Sequence, residues 1–359
     1  MSETLLVGTR KGLISYGRQG ADWRMREPAF LGEPVTAVLA DTRDSALYVA
    51  LNLGHFGIKL HRSDDDGATW SELPTPAYPA DPENAETAPS VKVIWTLVPG
   101  GDDRPGRIWA GTLPGGLFRS DNRGESWSLV DSLWDRPERE RWMGGGYDDP
   151  GIHSVCVDPR DSGHIVLGVS TGGVWITEDD AATWSLGNGM RNAYMPPGQE
   201  YDPVVQDAHR LSVCTAVPDV VWCQHHNGIF RSTDGARTFT EIDAPAPSLF
   251  GFAVVAHPED PETAWFVPAV KDEYRVPVGR RLVVTRTRDG GKSFEVLSEG
   301  LPGADSFDLV YRHGLAADTA LERFAMGSTT GNLWIGDGNG ERWQAVANHL
   351  PPIACVAWR

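Results

Sequence analysis

Five stretches decide the fold: SDDDGATW at 63–70, SDNRGESW at 120–127, TEDDAATW at 177–184, STDGARTF at 232–239 and TRDGGKSF at 287–294. They are copies of one eight-residue signature. Two worn copies, YGRQGADW at 16–23 and GDGNGERW at 336–343, keep the glycine and the closing tryptophan. The closing aromatics recur every 47 to 57 residues, a spacing that suits one four-stranded propeller blade plus a loop. Each interval divides the same way. An apolar strand comes first (VTAVLA, VIWTLV, HSVCVD, LSVCTAV, FAVVAH, FDLVYR), then a second (ALYVAL, RIWAGT, IVLGVS, VVWCQH, AWFVPA, RFAMGS). A glycine-led third runs into the signature, whose aromatic opens the fourth.

The first repeat lacks its innermost strand, because TLLVGT at 4–9 belongs to the second class. IACVAWR at 353–359 supplies it. Pairing the two ends in one blade removes the open edges of a linear array. The expectation is all-β: a single seven-bladed β-propeller domain over 1–359, with N- and C-terminal strands closing one blade together.

Composition agrees. Forty glycines, 26 prolines and 14 tryptophans, with no long helical periodicity, fit many short strands and tight turns. Lys plus Arg number 32 against 49 acidic residues, a net charge of −17 that disfavours nucleic acid and anionic membranes as partners. The N-terminal MSETLLVGTRKG has no secretory pattern and no apolar run approaches a membrane span, so a cytoplasmic location is expected. Cys156, Cys214, Cys223 and Cys355 sit in apolar runs without a CxxC pair and read as reduced thiols.

The signatures resemble the Asp-box, or BNR, repeat of the sialidase-like and sortilin-like propellers, a class that also holds xyloglucan-degrading propellers and photosystem assembly factors. The resemblance covers the whole chain and implies that Asp65, Asp179, Asp234 and Asp289 hold a structural turn between third and fourth strands. A fold of this kind carries unrelated functions, so function must come from a site.

In a propeller the starts of the innermost strands and the second-to-third loops share one face around the channel, opposite the signatures. On that upper face the sequence places Arg10, His55, His225 and His226 in second-to-third loops, with His153 and His209 at innermost-strand starts. Matching the SVC triplets Ser154–Cys156 and Ser212–Cys214 gives the two strand-start histidines one parity. The insertions 132–150 and 187–207 add Trp134, Arg141, Trp142, Tyr147, Asp149, Tyr194 and Tyr201, suited to a sugar ring or an anion, or simply to capping blade tops. The segment Asp272, Glu273, Tyr274, Arg275 gathers two carboxylates, a phenol and a guanidinium, a set that can supply acid, nucleophile and anion clamp. Its YRVP is similar to the sialidase YRIP motif, which carries a carboxylate-binding role onto Arg275. In sialidases that motif precedes the first box of a six-bladed fold, whereas here it precedes the last clear one, and no further arginines of the triad are assignable.

The expected catalytic set is therefore His153, His209, His225, Asp272, Glu273 and Tyr274. Arg10, His55, Arg141, Trp142, Asp149, His226 and Arg275 are the expected substrate contacts. His153, His209 and His225 also form the expected ligand set for one divalent transition metal, Zn, Cu, Fe, Ni or Mn, should the protein use a cofactor. His164, His257, His313 and His349 read as structural. The leading function is a hydrolase acting on a small polar or sugar-like molecule in the central pocket. The alternatives are a non-catalytic scaffold with a protein partner and a histidine-ligated metal enzyme.

Overall fold

The computed structural model describes residues 4–80, 89–243 and 247–359. Seven four-stranded antiparallel sheets form a ring. The first blade takes Ile353–Trp358 as its innermost strand beside Thr4–Thr9, with Leu5 opposite Trp358 and Val7 opposite Val356. The other innermost strands are Val35–Ala40, Val93–Pro99, Ile152–Asp158, Ala208–Val213, Gly251–Ala256 and Leu315–Ala317.

The second strands show why the sequence reads as continuous apolar runs there. Ile108–Leu113 and Ala264–Pro268 are buried at every residue, because each blade is covered on both faces by its neighbours. Trp109, Trp175, Trp222, Trp265 and Trp334 are fully buried. Each takes on the order of 200 Å² out of water, about 5 kcal/mol of transfer free energy. Blades approach closely enough to require glycine: a Cβ at Gly111 would stand 2.5 Å from the carbonyl oxygen of Ile152 in the next blade.

The signature forms the expected turn. Ser63 Oγ donates to Asp65 Oδ1 (2.8 Å) and accepts from Gly67 N–H (2.8 Å), while Asp65 takes Thr69 N–H (2.8 Å) and Thr69 Oγ1–H (2.6 Å). Thr177, Asp179 and Thr183 repeat this network, as do Thr287, Asp289 and Ser293. Hydrogen bonds from Thr69, Thr183 and Ser293 hold Asp65, Asp179 and Asp289 down at about 2.

Two strand expectations are corrected. Phe307–Arg312 is not the innermost strand of the seventh blade, which is Leu315–Ala317. Buried Asp308 accepts from Ser306 Oγ, Ser328 Oγ and Asn332 Nδ2, each at 2.7 Å, and these side-chain bonds hold the segment as a loop over the channel. In the fifth blade the strand ends at Val213 and does not run through the rest of LSVCTAV, because Cys214–Val220 turns around Pro218. His153 and His209 are therefore equivalent through IHSV and AHRL rather than through the SVC triplets.

That equivalence extends around the ring. Most innermost strands begin with a β-bulge that pushes one residue off the ladder: Thr36, Trp95, His153, His209 and Phe252, with Ala354 in the closing strand. In the seventh blade Gly327 N–H donates to Gly314 O (2.8 Å), which puts His313 at the same point. One topological position thus carries seven residues of five kinds.

Candidate functional site

A cavity of about 1350 Å³ opens at the upper face, and six of the seven bulge residues line it, His153 being the exception. Gly144–Tyr147 of the 132–150 insertion, Asp207 at the end of the other insertion, and Asp272 and Arg275 complete much of its wall.

At its deep end Asp207 meets two histidines. The Asp207 backbone is pinned on both sides, donating N–H to His225 Nε2 (3.0 Å) and accepting from His226 N–H (2.9 Å). Its carboxylate lies 3.2 Å from His226 Nδ1 through Oδ2 and 3.8 Å from His209 Nε2 through Oδ1. His209 stacks on Phe252 (ring centres 4.4 Å apart) and its Nδ1 faces Gly251 O at 2.7 Å. That carbonyl can only accept, so the proton sits on Nδ1 and Nε2 presents a lone pair to the pocket. Burial pushes the His209 imidazole down to about 3 against the pull of Asp207. Burial acts to raise Asp207, yet the carboxyl is held well below its usual range, with His226 Nδ1 in hydrogen-bonding reach of Oδ2. At neutral pH the cluster presents an ionised carboxylate and a neutral imidazole, both able to accept a proton and neither poised to give one.

Arg312 stands close by. Its guanidinium carbon lies 5.0 Å from the Trp95 ring centre and 5.4 Å from that of Phe252, and Nη2 reaches Gly145 O at 3.4 Å. The side chain is buried, its Nε has no partner, and among the described residues it forms no ion pair. Burial pulls it down to about 10, opposed by the charge of Asp207, so it remains a cation at neutral pH. Arg275 is different: it is already tied to Asp272 Oδ1 and donates to the Tyr311 hydroxyl (3.2 Å).

The expected site residues separate into two groups. Arg10, His209, His226, Asp272 and Arg275 line the cavity. His153 and His225 do not join His209, because their ring nitrogens are already engaged. His153 Nε2 donates to Ala208 O (2.6 Å) and Nδ1 meets Ser154 Oγ (2.9 Å); His225 Nε2 stands 3.0 Å from the Asp207 nitrogen and Nδ1 3.1 Å from the Asn227 nitrogen, so whichever ring nitrogen carries the lone pair is turned to the backbone. The expected ligand set is corrected accordingly: among the described residues, those whose ligand atoms come within 4.8 Å of one another are Asp207, His209 and His226. Glu273 turns out to Lys271 (3.3 Å) and Tyr274 is exposed with the Lys271 ammonium 5.0 Å over its ring. His55 lies against Phe56 outside the lining, Arg141 pairs with Asp202, Trp142 is buried against Trp175, and Asp149 pairs with Lys92 (2.5 Å).

Trp95, Phe252, Arg312 and His313 were missed. Aligning the seven innermost strands on their bulge would have found three of them: VTA, IWT, IHS, AHR, GFA, HG and IAC are the same position in seven blades. Arg312 was hidden because its loop reads as a strand.

No protein-family model matches the chain. Over 266 residues, 66% of its length, it is 24% identical to an oligoxyloglucan-reducing end-specific xyloglucanase of Emericella nidulans, spanning 30% of that protein. Over 152 residues, 39% of its length, it is 28% identical to a xyloglucanase of Hypocrea jecorina, spanning 16% of it. The chain thus spans less than a third of the length of these curated relatives. Among solved structures, the GH74 xyloglucanase of Xanthomonas campestris aligns with 96% of this chain and 52% of its own (TM-score 0.63, 17% identity). YCF48 bound to D1 peptide aligns with 92% of this chain and 87% of its own (TM-score 0.57, 14% identity). A functionally unknown protein from Desulfotomaculum acetoxidans aligns with all of this chain and 99% of its own (TM-score 0.60, 9% identity). At these identities the structural likeness establishes the propeller fold.

Proposed function

We propose that the protein is a hydrolase that binds a small, sugar-like anion in the upper-face cavity. The observation that carries this reading is Arg312, a buried guanidinium between two aromatic faces with no carboxylate partner among the described residues. A buried cation left unpaired is costly, and a carboxylate or phosphate on the ligand offsets that cost with charge-assisted hydrogen bonds. Trp95 and Tyr311, both part-exposed on the cavity wall, offer aromatic surface to a sugar ring. Asp207 and His209 stand beside the clamp as proton acceptors.

The xyloglucanase relatives make glycoside hydrolysis the first chemistry to try. The test is a panel of aryl glycosides, neutral and carboxylated, assayed with the wild type and Arg312→Gln. Turnover of carboxylated substrates that collapses in Arg312→Gln supports the reading. Turnover of neutral xyloglucan fragments at equal rates in both proteins overturns the anion clamp. A scaffold reading draws on the exposed aromatics near the mouth, Phe56, Tyr147, Tyr194 and Tyr274. A peptide partner that binds wild type and Arg312→Gln equally would favour it.

A further inference from the structure

We propose that Asp207, His209 and His226 bind one divalent transition-metal ion, with its open positions facing the cavity. The donor atoms suit it. His209 Nε2 and Asp207 Oδ1 are both lone-pair atoms, they face each other at 3.8 Å, and Oδ1 is buried without a hydrogen-bond partner. Two acceptors in that arrangement call for a cation between them. His226 Nδ1, 3.2 Å from Asp207 Oδ2, adds a third donor. Ligand atoms about 2.1 Å from a tetrahedral ion lie about 3.4 Å apart; one atom each from Asp207, His209 and His226 come within 4.8 Å of one another, so an ion would draw the three side chains together.

The surroundings are those of a held ligand set. The Gly251 carbonyl fixes the His209 tautomer and ring plane, as outer hydrogen bonds do for metal-bound imidazoles. His225 and the His226 backbone lock Asp207 in place. Two imidazoles and one carboxylate with free coordination positions form the donor set of catalytic zinc and of non-haem Fe(II). His153 and His225 are excluded because their ring nitrogens are used elsewhere.

The site rests on side-chain geometry and goes beyond the hydrolase reading, since an ion could bind whatever the substrate. Its chemistry would complement that reading: an ion here would lower the pKa of a bound water beside the Arg312 clamp.

The experiment is metal analysis of tag-free, full-length protein purified without chelator, followed by titration of the stripped protein with Zn²⁺, Fe²⁺ and Mn²⁺ and visible spectroscopy of the Co²⁺ form. One metal per chain is expected in the wild type and in His55→Ala, with loss of stoichiometric binding in Asp207→Asn, His209→Ala and His226→Gln. Histidine nitrogens should appear as Co²⁺ d–d bands that vanish in the same variants. His226→Gln, at the cavity wall, decides the matter if His209→Ala fails to fold. Absence of stoichiometric metal in folded wild type after titration overturns the site, as does metal that persists in Asp207→Asn and His226→Gln. Metal loss without change in Arg312-dependent binding would separate the two proposals, leaving the anion clamp standing.

Discussion

The two rims of this propeller obey opposite rules. On the lower rim the same few residues recur, and in four turns a hydroxyl and a carboxylate satisfy one another and the local backbone, as in Ser232, Asp234 and Ala236 N–H, with Asn122 in the carboxylate's place in a fifth. On the upper rim one bulge position recurs, but its occupants are threonine, tryptophan, three histidines, phenylalanine and alanine. Beside them stand groups whose bonding is incomplete, Asp207 Oδ1 and Arg312 Nε. Repetition marks what the fold needs from every blade. Departure from it, at a position the repeat has made equivalent, marks what the fold does not need.

The largest effect expected from breaking this contrast is at Arg312. Replacing it with glutamine should weaken an anionic ligand by roughly 3 kcal/mol, more than a hundredfold in Kd by calorimetry, while the thermal midpoint holds or rises as an uncompensated buried cation is removed. A lower midpoint with unchanged affinity would make Arg312 a packing residue.

Acid separates the rims next. Burial pushes His313 down to about 3 and His153 well below its ordinary value. Above about pH 6.5 these histidines are neutral in both folded and unfolded chains and contribute no pH dependence. Below it the unfolded chain takes up protons that the folded protein refuses, so stability falls by about 1.4 kcal/mol per pH unit for each histidine. Urea midpoints should therefore drop between pH 6 and 5. The lower-rim aspartates, whose carboxyls are depressed to about 2, lose their contribution only as the pH falls below about 4. A flat profile from pH 6 to 5 would mean the buried imidazoles are protonated in the folded state.

The smallest effect is local. Ser232→Ala should cost about 1–2 kcal/mol in urea unfolding, because it strips the Ala236 N–H of its acceptor and Asp234 of a donor. Ligand and metal binding should be untouched. Altered binding would show that the rims are coupled.

The same contrast explains what could be read from the chain alone. Blade number, strand order and ring closure were legible because they are written seven times, and because TLLVGT and IACVAWR are complementary halves of one repeat. His209, His226 and Arg275 were legible as upper-face residues. Their partners were not, because residue spacing does not say which nitrogen of a histidine is free. His153 and His225 look equal to His209 in sequence, yet both of their ring nitrogens are engaged, by backbone groups of the neighbouring blade and turn and by Ser154 Oγ. Arg312 escaped because DLVYR carries the apolar rhythm of a strand, and only the hydrogen bonds into Asp308 make it a loop.

The shared first blade has a consequence for biosynthesis. Leu5 must wait for Trp358, so the contact that closes the ring joins residues from opposite ends of the described chain. Until it forms, both strands stand as unpaired edges, and folding carries the slow step typical of long-range β pairing. The closing strand also brings Ala354, one wall of the cavity. A chain in which that strand has not yet docked thus has six finished blades and an open seam, and the cavity is completed only when Ile353–Trp358 pairs with Thr4–Thr9.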